Sequence, residues 1–199
     1  GALQGMKKKD RQAYIQIIKP MLTEKRFEHS LNVAQEAVKL AKKFGADPEK
    51  AETAGILHDI LKDTPADKQL KIISDFGIIM SDVELSVKKS WHAISGAAYI
   101  RNVLHIEDAE IVDAVRYHTT GRHNMTVLEK VVFVADFISK DRDYPGVEEM
   151  RKTACKSLDR AIVEGIAFTV GELVQNREPV VPETIDAYND AVWAVRHGK

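Results

Sequence analysis

Residues 54–63 read AGILHDILKD, an apolar run broken by adjacent His58 and Asp59, with Lys62 three residues on. A buried imidazole or carboxylate is costly unless something pairs with it. Turning about 100° per residue, a helix through this stretch sets His58 and Lys62 beside Ala51, Ala54 and Gly55, with Asp59 at the edge of that face. The small side chains there are expected to leave room. Ile56, Leu57, Ile60 and Leu61 form the opposite side, so the helix is apolar nearly all round and belongs at the centre of the molecule. Its His and Asp are then buried as well.

Outward from this stretch the signals remain helical: runs rich in Ala, Leu, Lys and Glu are punctuated by caps, without the alternating β-branched pattern of strands. The expected fold is all-α. One helix spans about 9–22, and FEHSLNVAQEAVKLAKKFG forms a second that stops at Gly45, a residue suited to the left-handed C-terminal position. Asp47-Pro48 supplies an N-cap and a first-turn proline for the central helix, and Thr64-Pro65 repeats the signal for a fourth that ends near Gly77. KIISDFGIIM carries Ile pairs that also fit a short extended piece. Ser81 with Glu84 and Thr126 with Glu129 are spaced as capping boxes. Helices over about 91–104, 109–119, 147–176 (broken near Cys155–Ser157) and 184–197 complete the pattern, and NREPVVPET cannot be continuous helix.

The chain has 199 residues, enough for one sizeable core, and residues 6–199 read as a single domain, with GALQG before Met6 as an appended remnant. A formal charge of −1 offers no basic field for nucleic acid or an anionic membrane, so any anionic substrate needs local cations or metal. No uninterrupted apolar run exceeds five residues, the length of Val131 to Ala135, against the ~20 of a membrane span. One cysteine, Cys155, excludes an internal disulfide, and the cytoplasm is the default expectation.

Further polar residues fall on core-facing stripes. His29 shares one with Val33, Ala37 and Leu40, with Arg26 a turn earlier; Asp136 sits between apolar neighbours on both sides of its helix. His92 lies with Gly96, Tyr99 and Val103, and His118 with Ile111, Ala114 and Val115. His105, His123 and His197 fall at a helix end, in a loop and in the tail, and read as solvated. A single inward His is ordinarily a core residue bonded to backbone, and Lys62 or Arg26 alone can reach solvent or a surface carboxylate. Four His and two Asp on separate helices are more economically satisfied by one shared metal centre. Imidazole and carboxylate without thiolate suit Fe, Mn, Co, Ni or Zn.

The order His29, His58-Asp59, Asp136, with Lys62 completing HDxxK, resembles the HD superfamily of metal-dependent phosphohydrolases. RFEHSLNVA, GILHDILKD, His92 followed by SGA, VRYHTTG, VADFISKDR and PETIDAYN are similar, more narrowly, to the bacterial HD-domain symmetrical diadenosine tetraphosphate hydrolases, over about residues 14–193. The resemblance implies a helical domain that binds iron or another divalent metal through His29, His58, Asp59 and Asp136. It also implies cleavage of diadenosine tetraphosphate to two ADP. It places phosphates near Arg26, Lys62, His92, His118, Thr119 and Arg142, and the nucleoside beside Pro179, Val180, Val181, Pro182, Glu183 and Thr184. A homodimer is a further expectation; the tail helix bearing Trp193 packs either internally or against a second copy.

The mechanism expected from these residues is metal-assisted attack of water on an inner phosphorus. Asp59 ligates, and where a second ion is present bridges; Arg26 and Arg142 clamp phosphate, Lys62 offsets charge, and His118 or His92 protonates the leaving oxygen. His92 and His118 are equally compatible with holding that second metal. Competing readings are an HD phosphohydrolase acting on guanosine tetraphosphate, a dNTP or a 5′-nucleotide, and a non-catalytic nucleotide sensor.

Overall fold

The computed structural model describes residues 8–198, so the proposed remnant at residues 1–5 lies outside the described residues. Among the described residues there is no strand, and no helix is long and apolar enough to cross a membrane. The architecture is helical, as the caps indicated. α1 (Lys8–Ile18) tightens into a 3-10 turn at Pro20; α2 (Glu24–Phe44) follows, N-capped by Thr23 and closed by Gly45 at φ 85°. α3 (Pro48–Leu57) starts on Asp47, whose side chain accepts from the amides of Glu49 and Lys50. α4 (Ala66–Asp75) and the short α5 (Asp82–Ser86) lead to α6 (Trp91–Asn102), α7 (Ala109–Arg116) and α8 (Val127–Ile138). α9 (Val147–Lys156), α10 (Leu158–Gln175) and α11 (Pro182–Arg196) complete the chain. Both capping boxes are formed.

α2, α3 and α8 pack at the centre, with α7 against α3 and α8, α6 against α7, and α10 against both α8 and α11. Val131–Ala135 on α8 are all buried, which is why that run is the most apolar in the chain. The approach of α2 to α3 is set by Gly55: a Cβ there would stand 2.5 Å from Ala34 Cα. The room left by Gly55 is therefore filled by the α2 backbone, whereas the sequence reading assigned it to the polar face.

Two helices end earlier than their periodicity indicates, and for the same reason. α3 stops at Leu57 and α7 at Arg116. His58 Nδ1 donates to Gly55 O at 2.6 Å, and His118 Nδ1 donates to Val115 O at 2.6 Å. Each ring takes the carbonyl that the next helical amide would use, and the chain turns by i to i−3 bonds such as Ile60 N to Leu57 O and Lys62 N to Asp59 O. His58, Asp59 and Lys62 thus lie on a tight turn after α3, not on one face of it. That turn is tied to the start of α2 by Thr23 N donating to Asp63. The KIISDFGIIM stretch is helical to Asp75, turns at Gly77 (φ 72°) and leaves 78–80 irregular. Pro182 opens the last helix two residues before the expected start. Trp193 on that helix is 54% exposed and stacks on His197 at 4.2 Å.

Candidate metal centre

Six polar residues meet where the end of α3 faces α2, α6, α7 and α8. His29 (α2), His58 and Asp59 (the turn after α3), His92 (α6) and His118 (after α7) are buried, and Asp136 (α8) is 23% exposed. His29 Nε2 lies 2.8 Å from Asp136 Oδ1 and 3.9 Å from Asp59 Oδ2; His58 Nε2 lies 3.3 Å from Asp59 Oδ2 and 3.6 Å from Asp136 Oδ1. The other carboxylate oxygen of Asp59 faces a second group. Its Oδ1 is 3.4 Å from both His92 Nε2 and His118 Nε2, which are 3.2 Å from each other. Donors gathered around one divalent ion at ~2.1 Å sit ~3–3.5 Å apart, so both sets have the spacing of a coordination shell.

The donor chemistry fits a metal as well as the spacing does. His58 is fully buried and its Nε2 makes no well-aligned hydrogen bond, although carboxylate oxygens of Asp59 and Asp136 lie 3.3 and 3.6 Å away. A buried ring nitrogen left without a hydrogen-bond partner among carboxylates has the surroundings of a metal donor. With Nδ1 committed to Gly55 and Val115 respectively, His58 and His118 turn Nε2 inward, the tautomer that ligation requires. His29, His58 and Asp59, then His58, His118 and Asp136, then Asp59, His92 and His118 each form a compact potential ligand group.

Charges in the cluster are strongly coupled. Burial disfavours the His58 imidazolium, but Asp59 and Asp136 beside it raise its pKa to about 10. Burial likewise opposes ionisation of Asp59, yet His58, His118 and His92 hold its carboxyl well below the usual range; His29 and His58 do the same for Asp136. His92 is shifted down by burial, with His118 and Lys62 adding to the effect against Asp59.

These shifts have a sign. His58 has a raised folded pKa, so its contribution to the metal-free protein is complete below the ordinary pKa of 6.5 and disappears as pH rises through about 10. Asp59 and Asp136 contribute above their ordinary value of 3.8 and lose that contribution as pH falls below it. Metal-stripped protein is expected to be most stable between about pH 4 and 6.5, and added divalent metal to stabilise it increasingly as pH rises and the proton on His58 is displaced. Thermal unfolding across pH, with and without metal, checks this; a metal-induced gain that does not grow with pH would contradict it.

The two arginines expected at phosphate each pair with an acidic residue of the cluster. Arg26 Nη1 is 3.0 Å from Asp59 Oδ2, and Arg142 donates to Asp136 O at 2.8 Å and to Asp136 Oδ1 at 3.0 Å. Thr119 Oγ1 is 3.2 Å from His118 Nε2, and Lys62 is half-buried. The 179–184 segment is not part of the cluster: Val181 and Glu183 line a neighbouring cavity of about 230 Å³ with Arg116, Tyr117 and Thr120, which flank His118 in sequence. Among the described residues no hydrogen bond or ion pair joins the segment to the six. His105, His123 and His197 are exposed, as read from the sequence. A residue that sequence reasoning missed is Asp141, whose Oδ2 lies 2.7 Å from His29 Nδ1.

The HD domain family model matches residues 26–141, the span from Arg26 to Asp141 that contains all six cluster residues. The chain belongs to the HD domain family. Within it, this HD-domain protein is 39% identical over 190 residues to a Bacillus subtilis protein named symmetrical bis(5′-nucleosyl)-tetraphosphatase, covering 94% of this chain and 98% of that one. The Halalkalibacterium halodurans protein of the same name is 39% identical over 175 residues, 88% of this chain and 93% of its own. Among solved structures, a Clostridium acetobutylicum protein described as a predicted HD superfamily hydrolase involved in NAD metabolism superposes with a TM-score of 0.89, at 33% identity over 94% of this chain and 98% of that one. The helical architecture is thus that of an HD superfamily hydrolase.

Proposed function

We propose that this protein hydrolyses diadenosine tetraphosphate symmetrically to two ADP at a divalent-metal centre. The observation that carries the proposal is the convergence of His29, His58, Asp59 and Asp136 in a chain similar over nearly its whole length to proteins named for that activity. Those four residues are assigned to the metal, with iron, manganese, cobalt, nickel and zinc all matched by the donor set. When bound, such an ion acidifies water and offsets charge on the phosphates.

The two faces of Asp59 suit one or two ions, His92 and His118 serving the second. Both histidines are better placed to ligate than to give a proton: His118 has its N–H committed to Val115, and His92 is kept neutral by its surroundings. Arg26 and Arg142 each retain guanidinium donors beyond those bonded to Asp59 and Asp136, and we assign these to phosphate oxygens. Thr119, beside His118, and Lys62, whose charge acts on His92, are assigned to the same phosphates. Since the chain carries a net charge of only −1, this local set of cations is what attracts the polyphosphate. The cavity beside Val181 and Tyr117 is assigned to a nucleoside.

Separating the nucleotides after incubation with metal and diadenosine tetraphosphate tests the proposal. ADP alone is the expected product, and ATP plus AMP would contradict it. The same panel includes NAD, guanosine tetraphosphate, dNTPs and 5′-nucleotides, because the Clostridium neighbour's name points to NAD metabolism. Faster turnover of any of these would displace diadenosine tetraphosphate as the substrate.

A further inference from the structure

His29 is held differently from His58 and His118. Those two end their helices, and each commits Nδ1 to the backbone carbonyl three residues before it. His29 stands in the second turn of the 21-residue α2, where the carbonyls within reach already belong to the helix ladder. Its Nδ1 therefore needs a side chain. Asp141 supplies one from 112 residues away in sequence, with Oδ2 at 2.7 Å, while His29 Nε2 faces Asp136 and Asp59.

Asp141 is itself braced. It lies in the turn that follows α8, and Arg151 on α9 donates to three carbonyls of that turn: Ile138 at 3.0 Å, Ser139 at 2.9 Å and Arg142 at 2.8 Å. The Tyr144 hydroxyl closes the same turn on Phe137 O at 2.7 Å. One side chain from α9 thus fixes the backbone from which Asp141 reaches His29 and Arg142 reaches Asp136.

We propose that Asp141 is a positioning residue, whose carboxylate holds His29 with Nδ1 protonated and Nε2 directed at the donor set, and thereby sets the affinity of the centre for a divalent ion. A carboxylate on the far nitrogen of a ligating histidine both fixes ring orientation and makes the ligand more basic. The inference rests on the metal-centre reading of the proposed function. It adds a residue outside the six donors, and outside each of the three compact ligand groups.

The test is a titration of chelator-stripped protein with Mn²⁺, following free aqueous Mn²⁺ by electron paramagnetic resonance. Asp141→Ala removes the acceptor, Asp141→Asn keeps an acceptor oxygen at the same reach, and Asp141→Ser, polar but too short, keeps the test open if the alanine variant does not fold. The expected result is binding weakened by roughly 10- to 100-fold in the alanine and serine variants, with partial recovery in the asparagine variant. Wild-type affinity in the alanine or serine variant would overturn the positioning role, as would equal losses in all three. Wild-type protein that binds no Mn²⁺ would instead overturn the metal-centre reading itself.

Discussion

Asp59→Ala is expected to lose bound metal and turnover together while the far-UV helical signal survives. Asp59 turns one carboxylate oxygen to His29 and His58 and the other to His92 and His118, so its loss opens both donor sets at once. No other residue of the cluster faces both sets through separate atoms. Turnover of diadenosine tetraphosphate is expected to fall by on the order of 10³-fold or more, about 4 kcal/mol of barrier. The fold has reason to survive. Asp59 lies on a turn after α3, outside the helix ladder, and its partner Arg26 is 29% exposed and can turn to water. Metal content after gel filtration, nucleotide separation and circular dichroism check the three parts, and full activity in the variant would remove Asp59 from the chemistry.

Gly55→Ala is expected to be the most damaging single methyl in the chain's centre, at about 3 kcal/mol of stability. The new Cβ would stand 2.5 Å from Ala34 Cα and 2.9 Å from Ala34 N, and these are backbone atoms that cannot swing aside. α2 and α3 would have to part. His29 rides on α2 and His58 follows Gly55 by three residues, so the parting also spreads the ligands, and metal affinity should fall with stability. Gly171→Ala on α10 is the matched control: its Cβ meets nothing within 4 Å, and alanine favours the helix by up to ~1 kcal/mol. Denaturant unfolding of both variants decides the matter; a Gly55→Ala protein as stable as wild type would mean that α2 and α3 do not meet at this spacing.

Much of the molecule was legible because its signals are local. Asp47-Pro48, Gly45 and the two capping boxes mark helix ends within four residues, and each is found where the sequence placed it. The inward positions of His29, His58, His92, His118 and Asp136 followed from 3.6-residue periodicity, and their convergence is observed. What escaped depends on side chains acting at a distance or against the ladder. The periodicity of AGILHDILKD does not reveal that His58 will take the Gly55 carbonyl and end the helix, nor does VRYH reveal the same of His118.

Asp141, in KDRD, looks like any charged turn residue until α2 is seen against it. Gly55 was read as making room for the polar face, but its neighbour is Ala34 on another helix, information that no spacing within α3 contains. Arg26 and Arg142 were placed at phosphate by the family resemblance, and the structure adds that each also pairs with an acidic residue of the centre. These are consistent roles for a cation beside a carboxylate that a metal would neutralise.

The central claim is that the His–Asp cluster is the metal centre. Diffraction from Mn²⁺-soaked crystals at a wavelength where manganese scatters anomalously tests it most directly. The expected result is an anomalous peak enclosed by His29, His58, Asp59 and Asp136. Protein that is active with Mn²⁺ but shows its anomalous peak elsewhere, with none among these four residues, would contradict the account.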